Sequence, residues 1–264
     1  LDLGFNLYRR DTIFLDLILD AGLRYQISAF NFFKVLYSSK TSSLLSTSQY
    51  STFNRPTVLD YTQRLYGSLF HWEQLDYRLN PRKGIQFEIE GAAGNKNIEI
   101  NQSLPEEIYD DIQLKTLTIR GRNEVAWYIP LFRRSTIMLA NQSAFLENDQ
   151  LLFNDLYRIG GLKKLRGFDE ESIFASLYTI NTFEYRFLFE KNSFLNVFFD
   201  WAYYQNNGSY LEANIQDDPM GFGAGVSFET VAGIFALSYA LGQQFDNPIL
   251  FRTAKIHFGF TSVF

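Results

Sequence analysis

The sequence predicts an all-β protein, an antiparallel transmembrane β-barrel of the outer-membrane type, with about twelve strands in this chain. Three observations predict it. Apolar and polar residues alternate in steps of two over long segments. Short and long connections take turns along most of the chain. Aromatic residues make up 17% of the 264, chiefly 27 Phe and 16 Tyr. No stretch of 18 apolar residues is present to form a membrane helix.

The first residues, "LDLGFNLYRR", already alternate as a strand, and they lack the basic and apolar regions of a signal peptide. In "TIFLDLILDAGLRYQIS", Ile13, Leu15, Leu17, Leu19, Ala21, Leu23, Tyr25 and Ile27 share one face. Asp16, Asp20, Gly22, Arg24 and Gln26 share the other, with Phe14 and Ile18 as exceptions. Similar segments follow near Asn31–Tyr37, Val58–Asp76, Ile85–Gly91, Lys115–Leu131, Thr136–Phe145, Ser176–Glu190 and Phe194–Tyr204. The last three are "GFGAGVSFET", with Phe222, Ala224, Val226 and Phe228 on one face, then "GIFALSYALG" and "KIHFGFTSVF". Most exceed the 5–6 residues of an average globular strand, and about 9–11 suffice for a tilted strand to cross a bilayer. A soluble β-sandwich also alternates, but with shorter strands and a polar outer face.

Several connections are short: "AFN", "NPRKG", "FRRS", "KNS" and "TVAG". Those between them are long, around residues 38–56, 92–114, 146–175, 205–219 and 243–250. Tight turns on one rim and long loops on the other are the habit of outer-membrane barrels. The short link "RRDT" near Arg9 breaks the alternation. No linker or internal repeat divides the chain, so residues 1–264 read as one transmembrane barrel domain.

The net charge of −5 gives no reason to expect nucleic acid, and the absence of cysteine excludes disulfides and Cys-based metal sites. No His/Asp cluster has metal-ligand spacing, and neither a cofactor nor an enzymatic activity is expected. His257 faces inward near Ser227 and Ser238, but neither it nor His71, whose face is ambiguous, has a nucleophile signature beside it. "GFGAG" lacks the strand–turn–helix setting of a phosphate loop, and its inward glycines fit better as room for a neighbouring loop.

Two acids stand out. In "NTFEYRFLFEKNSFLNVFFDWAYY", Glu184 and Asp200 both turn inward, and a turn centred on Asn192 sets them opposite each other, or a pair apart if the register slips. Facing carboxylates repel, and a guanidinium between them removes the cost because its planar fork serves both. The loop 146–175, longer than unstructured loops usually run, precedes this hairpin and carries Arg166 in "KKLRGFDEE". It is either folded inward, with Arg166 between the acids, or a solvated surface loop whose charges neutralise one another. Spacing alone favours the solvated loop.

"LRGF" (Leu165, Arg166, Gly167, Phe168), followed by "E-x-R" (Glu184, Arg186) and "VFFDWA" (Val197–Ala202), resembles the barrel signature of the BamA/TamA superfamily of outer-membrane assembly factors and two-partner secretion transporters. The resemblance implies an inserted loop whose Arg166 meets Glu184 and Asp200, although Ala202 stands where the family usually has glycine. It implies about sixteen strands, so that upstream strands and periplasmic domains are expected to be absent from this chain. The C-terminal strand, with Phe258, Phe260 and Phe264, resembles the aromatic-terminated β-signal of outer-membrane proteins.

On the same grounds the implied role is assembly, insertion or translocation of polypeptides at the outer membrane of a Gram-negative bacterium. The implied partners are the lipid bilayer with its lipopolysaccharide, client polypeptides and accessory subunits. The alternative is a passive porin-like channel for small solutes, which needs no Arg–Glu–Asp arrangement.

Overall fold

A computed structural model describes residues 1–46, 57–211 and 213–262. Among them are fifteen strands: β1 (Asp2–Arg10), β2 (Phe14–Gln26), β3 (Phe32–Leu44), β4 (Tyr61–Leu75), β5 (Gly84–Ile98), β6 (Lys115–Phe132), β7 (Ser135–Glu147), β8 (Tyr157–Ile159), β9 (Ile173–Ala175), β10 (Leu177–Leu188), β11 (Phe194–Asn206), β12 (Ile215–Asp217), β13 (Met220–Thr230), β14 (Gly233–Gln243) and β15 (Lys255–Thr261). Twelve of these form one antiparallel wall in the order β1-β2-β3-β4-β5-β6-β7-β10-β11-β13-β14-β15. Every wall strand pairs with its nearest wall neighbours in sequence, as a meander requires. The short strand β12 adds to β11, while β8 and β9 make a separate hairpin.

The two faces of the wall differ as the alternation requires. On β10, Phe183 is 45% exposed and its neighbour Glu184 only 3%. On β11, Val197, Phe199 and Trp201 are exposed, whereas Phe198, Asp200 and Ala202 are buried. An outward face so rich in large apolar groups matches a hydrocarbon solvent rather than water.

The wall curls around the segment between β7 and β10. Arg158 from that segment lies 3.3 Å over the ring of Tyr8 on β1. Lys255 on β15, at the other end of the sheet, pairs with Asp169 of the same segment at 2.7 Å. A flat sheet of twelve strands cannot reach one insert from both ends. Among the described residues β1 and β15 are not hydrogen-bonded to each other.

Three sequence expectations change. The segment expected at Asn31–Tyr37 runs on to Leu44, with Ser38 and Ser42 buried in the inward phase, so the connection expected from residue 38 begins after Leu44. The segment expected at Ile85–Gly91 continues to Ile98, and the following loop shrinks accordingly. Its second half, "GNKN", looks like a turn, but Ala92, Lys96 and Ile98 keep the inward phase and are buried. The link "RRDT" is a tight turn on the long-loop rim, closed by Ile13 N–H donating to Arg10 O at 2.9 Å, with Asp11 at φ 44°.

Candidate functional site

The segment between β7 and β10 leaves the rim, enters the space enclosed by the wall and returns. Its two arms are held together by β8 and β9, with Tyr157 opposite Ala175 and Ile159 opposite Ile173. Leu165, Ile159 and Ala175 are fully buried, and Phe168 is 9% exposed, in a cluster shared with Tyr178, Ile180, Ala202 and Tyr204 of the wall. An apolar cluster made from both loop and wall fixes the loop's depth by removing these side chains from water.

At the tip, Arg166 is 9% exposed. Its Nε donates to Asp200 Oδ2 at 2.8 Å and its Nη2 to Asp200 Oδ1 at 2.7 Å, a bidentate pair. Nη1 donates to Glu184 Oε2 at 2.5 Å, and the backbone N–H of Arg166 donates to Asp200 Oδ2 at 3.2 Å. The fourth oxygen is also served, and Asp200 Oδ1 has a second donor. Arg186 Nε donates to Glu184 Oε1 at 2.7 Å, and Thr182 Oγ1 donates to Asp200 Oδ1 at 2.8 Å. Two guanidiniums and two carboxylates thus balance in charge. Burial works against the charge on Arg166, but the hydrogen bonds and attraction from Asp200, with those from Glu184, hold its pKa above the ordinary arginine value.

The register differs from direct opposition. Asp200 pairs with Thr182, and Glu184 with Phe198, because the turn centres on Lys191, where Phe189 and Glu190 N–H groups both donate to Ser193 O. The acids are therefore diagonal neighbours, a separation of about 7–8 Å between backbones in such sheets. That gap admits a guanidinium edge on each carboxylate. Phe198 sits between them, with the Arg166 guanidinium 3.5 Å above its ring.

Glycines make the close approach feasible. Gly167 has φ +94°, and a Cβ there would lie 2.6 Å from Leu241 O. On β13, a Cβ at Gly221 would lie 1.8 Å from Arg166 O. The inward glycine of "GFGAG" thus leaves space for the loop backbone. Gly167 N–H donates to His257 Nε2 at 3.1 Å. Ser238 is the strand partner of His257, yet the Nε2 that a general base would offer is already occupied by this amide. Ser227 is buried on β13. His71 faces inward, stacked 5.0 Å from Phe32 and 3.2 Å from Glu88. Phe258 and Phe260 are exposed on the outer face, and Phe264 lies outside the described residues. No group of three or more His, Cys, Asp or Glu at metal-holding distance occurs among the described residues.

A second anchor escapes the sequence reading. At the start of the loop, Asn154 Nδ2 donates to Ser42 Oγ at 2.7 Å and Leu59 O at 3.0 Å, and Tyr61 and Lys40 donate to its carbonyl. The fully buried Lys96 pairs with Asp155 and donates to Gln150 O at 2.8 Å, while Lys40 pairs with Asp16 at 3.0 Å. Lys96 was hidden because it falls in the turn-like "GNKN". The available signal is its phase, which continues the inward series Glu90, Ala92, Gly94. The loop is thus fixed to β3–β5 at its entry and to β10, β11, β13, β14 and β15 at its tip.

The family model described as the Omp85 superfamily domain matches residues 24–264. Among 51 matching solved chains is the crystal structure of BamA from Haemophilus ducreyi lacking POTRA domains 1–3. It is similar with a TM-score of 0.63 and 16% identity, over 94% of this chain and 53% of that one. The chain spans about half the length of that matched protein. No curated protein matches.

Proposed function

Because this chain belongs to the Omp85 superfamily, we propose that it is the membrane-embedded barrel of a factor that inserts or translocates polypeptides at the outer membrane of a Gram-negative bacterium. All 264 residues act as one domain in this reading, without enzymatic chemistry or a cofactor. Its partners are the bilayer with its lipopolysaccharide, client polypeptides and accessory subunits.

The observation that carries the reading is Arg166 held by Glu184 and Asp200 at 2.5–2.8 Å deep inside the wall. A passive pore for small solutes does not need a loop tip held by an Arg–Glu–Asp cluster, and a buried ion cluster is costly to assemble without a structural return. As a plug and brace, the loop stiffens β10, β11, β13, β14 and β15 at its tip and ties them to β3–β5 at its entry.

The test is reconstitution of the full-length protein in liposomes with an unfolded outer-membrane client. The wild type promotes client integration, and Arg166→Ala lowers it at least tenfold. Equal integration by Arg166→Ala, with barrel heat-stability intact, contradicts the proposed role. Solute flux through the wild type with no client integration supports the channel reading instead.

A further inference from the structure

On the rim opposite the long loops, three short turns from separated parts of the wall are tied together. Arg82 Nη2, in the β4–β5 turn, donates to Arg133 O at 2.6 Å in the β6–β7 turn. Leu188 N–H, at the end of β10, donates to Arg134 O at 2.8 Å. Asn80 Nδ2 donates to Lys191 O at 3.0 Å, closing the triangle with the β10–β11 turn. The turns border an open cavity of about 850 Å³ lined by the cations Arg82, Arg133, Arg134 and Lys191, against the carboxylates Asp76 and Glu190. Asp76 Oδ1 already accepts the N–H groups of Arg82 and Lys83, at 2.9 and 3.1 Å.

Among the described residues none of the four cations makes an ion pair: Arg82 Nη2 is spent on the Phe132 and Arg133 carbonyls and Lys191 lies 4.0 Å over the Tyr77 ring, which leaves the Arg133 and Arg134 guanidiniums for a ligand. The Nε of Arg82 is buried without an acceptor among the described residues. Phe132, Phe187 and Phe189 border the same cavity and are 74%, 43% and 43% exposed.

From this juxtaposition of unpaired cations and outward-facing aromatics we propose that the short-turn rim is a binding site for the headgroup of an anionic phospholipid. Arginine forks match phosphate oxygens, and aromatic rings beside them suit the glycerol and upper acyl region at a bilayer interface. Basic clusters at a membrane surface attract anionic lipid at about fivefold in affinity per side chain. The phenylalanines distinguish a lipid from free phosphate, which needs only the cations. The inference rests on the outer-membrane barrel reading but not on client insertion.

The full chain, purified in detergent, is titrated with phosphatidylglycerol, with phosphatidylcholine and with sodium phosphate, and bound lipid is read by native mass spectrometry. The wild type retains phosphatidylglycerol over phosphatidylcholine. Arg133→Gln with Arg134→Gln weakens that retention roughly 25-fold, two factors of about five, while Arg133→Lys with Arg134→Lys keeps most of it. Unchanged heat-dependent gel mobility shows that each variant is folded. Equal retention by the Gln pair, or equal retention of the two lipids, overturns the proposal. So does sodium phosphate displacing the lipid at equal concentration, which marks a free-anion site. Client integration measured on the wild type separates the two readings: a wild type without lipid selectivity but with normal integration overturns this site alone, and lipid selectivity without client integration overturns the insertion role alone.

Discussion

Arg166 makes its contacts through three different nitrogens of one planar group, to Asp200 Oδ2 and Oδ1 and to Glu184 Oε2. A lysine supplies one point charge there and cannot reproduce the bidentate pair with Asp200 while also reaching Glu184 from a second nitrogen. Arg166→Ala leaves Asp200 with only the Thr182 hydroxyl and the residue-166 backbone N–H and no cation, while Glu184 keeps Arg186, so the loss falls mainly on Asp200. Removing one member of a buried pair costs about 3–5 kcal/mol. Arg166→Ala is therefore expected to lower barrel stability by that amount in urea titrations of the lipid-embedded protein. Arg166→Lys recovers less than half of it, and a full recovery by lysine contradicts the fork geometry. The two acids were visible in the sequence because both sit in the inward phase of long alternating strands. Their diagonal placement was not, since a five-residue turn can centre on Lys191 or Asn192 with little change in the pattern.

At the scale of elements, the inserted loop needs an empty position on β13 as much as it needs a charge. Gly221→Ala puts a methyl group 1.8 Å from Arg166 O, a backbone atom with no rotamer to move away. Gly221→Ala is expected to expel the tip and expose Lys164 and Arg166 to trypsin, without altering any charge. Gly91→Ala on β5 meets nothing within 4 Å and serves as the matched control with wild-type cleavage. Tip release leaves the loop's entry in place, because Asn154 and Asp155 are held independently by Ser42, Tyr61 and Lys96. Protease mapping of Arg166→Ala is thus expected to find cuts within residues 160–172 and none within 150–155. The strands themselves were legible almost throughout, since a period of two survives whatever the loops do. β3 and β5 were the exceptions: the serine-rich end of one and the "GNKN" of the other ordinarily mark a loop or turn, but both pair with β4, and Ser42 and Lys96 face inward to meet Asn154 and Asp155 of the insert.

For the whole molecule, one insert touches Tyr8 near one end of the sheet and Lys255 near the other, so wall curvature and loop position depend on each other. Lys96 is the test of that dependence on the far side from Arg166. It is fully buried, and Lys96→Met leaves Asp155 charged and unpaired, at a cost of about 3–5 kcal/mol. Lys96→Met with Asp155→Leu removes both charges and is expected to regain most of the loss, measured by the same urea titration. Additive losses in the double variant would mean the pair contributes nothing as a pair.

The most direct measurement uses the absence of cysteine from the sequence. A single Leu165→Cys places the only thiol beside Arg166, at a position with 0% exposure. In the lipid-embedded barrel, a water-soluble maleimide is expected to label this thiol at least a hundredfold more slowly than the same thiol in the unfolded chain. Adding Arg166→Ala is expected to abolish most of that protection. Rapid labelling with Arg166 present, or equal rates with and without it, contradicts a loop tip pinned inside the wall.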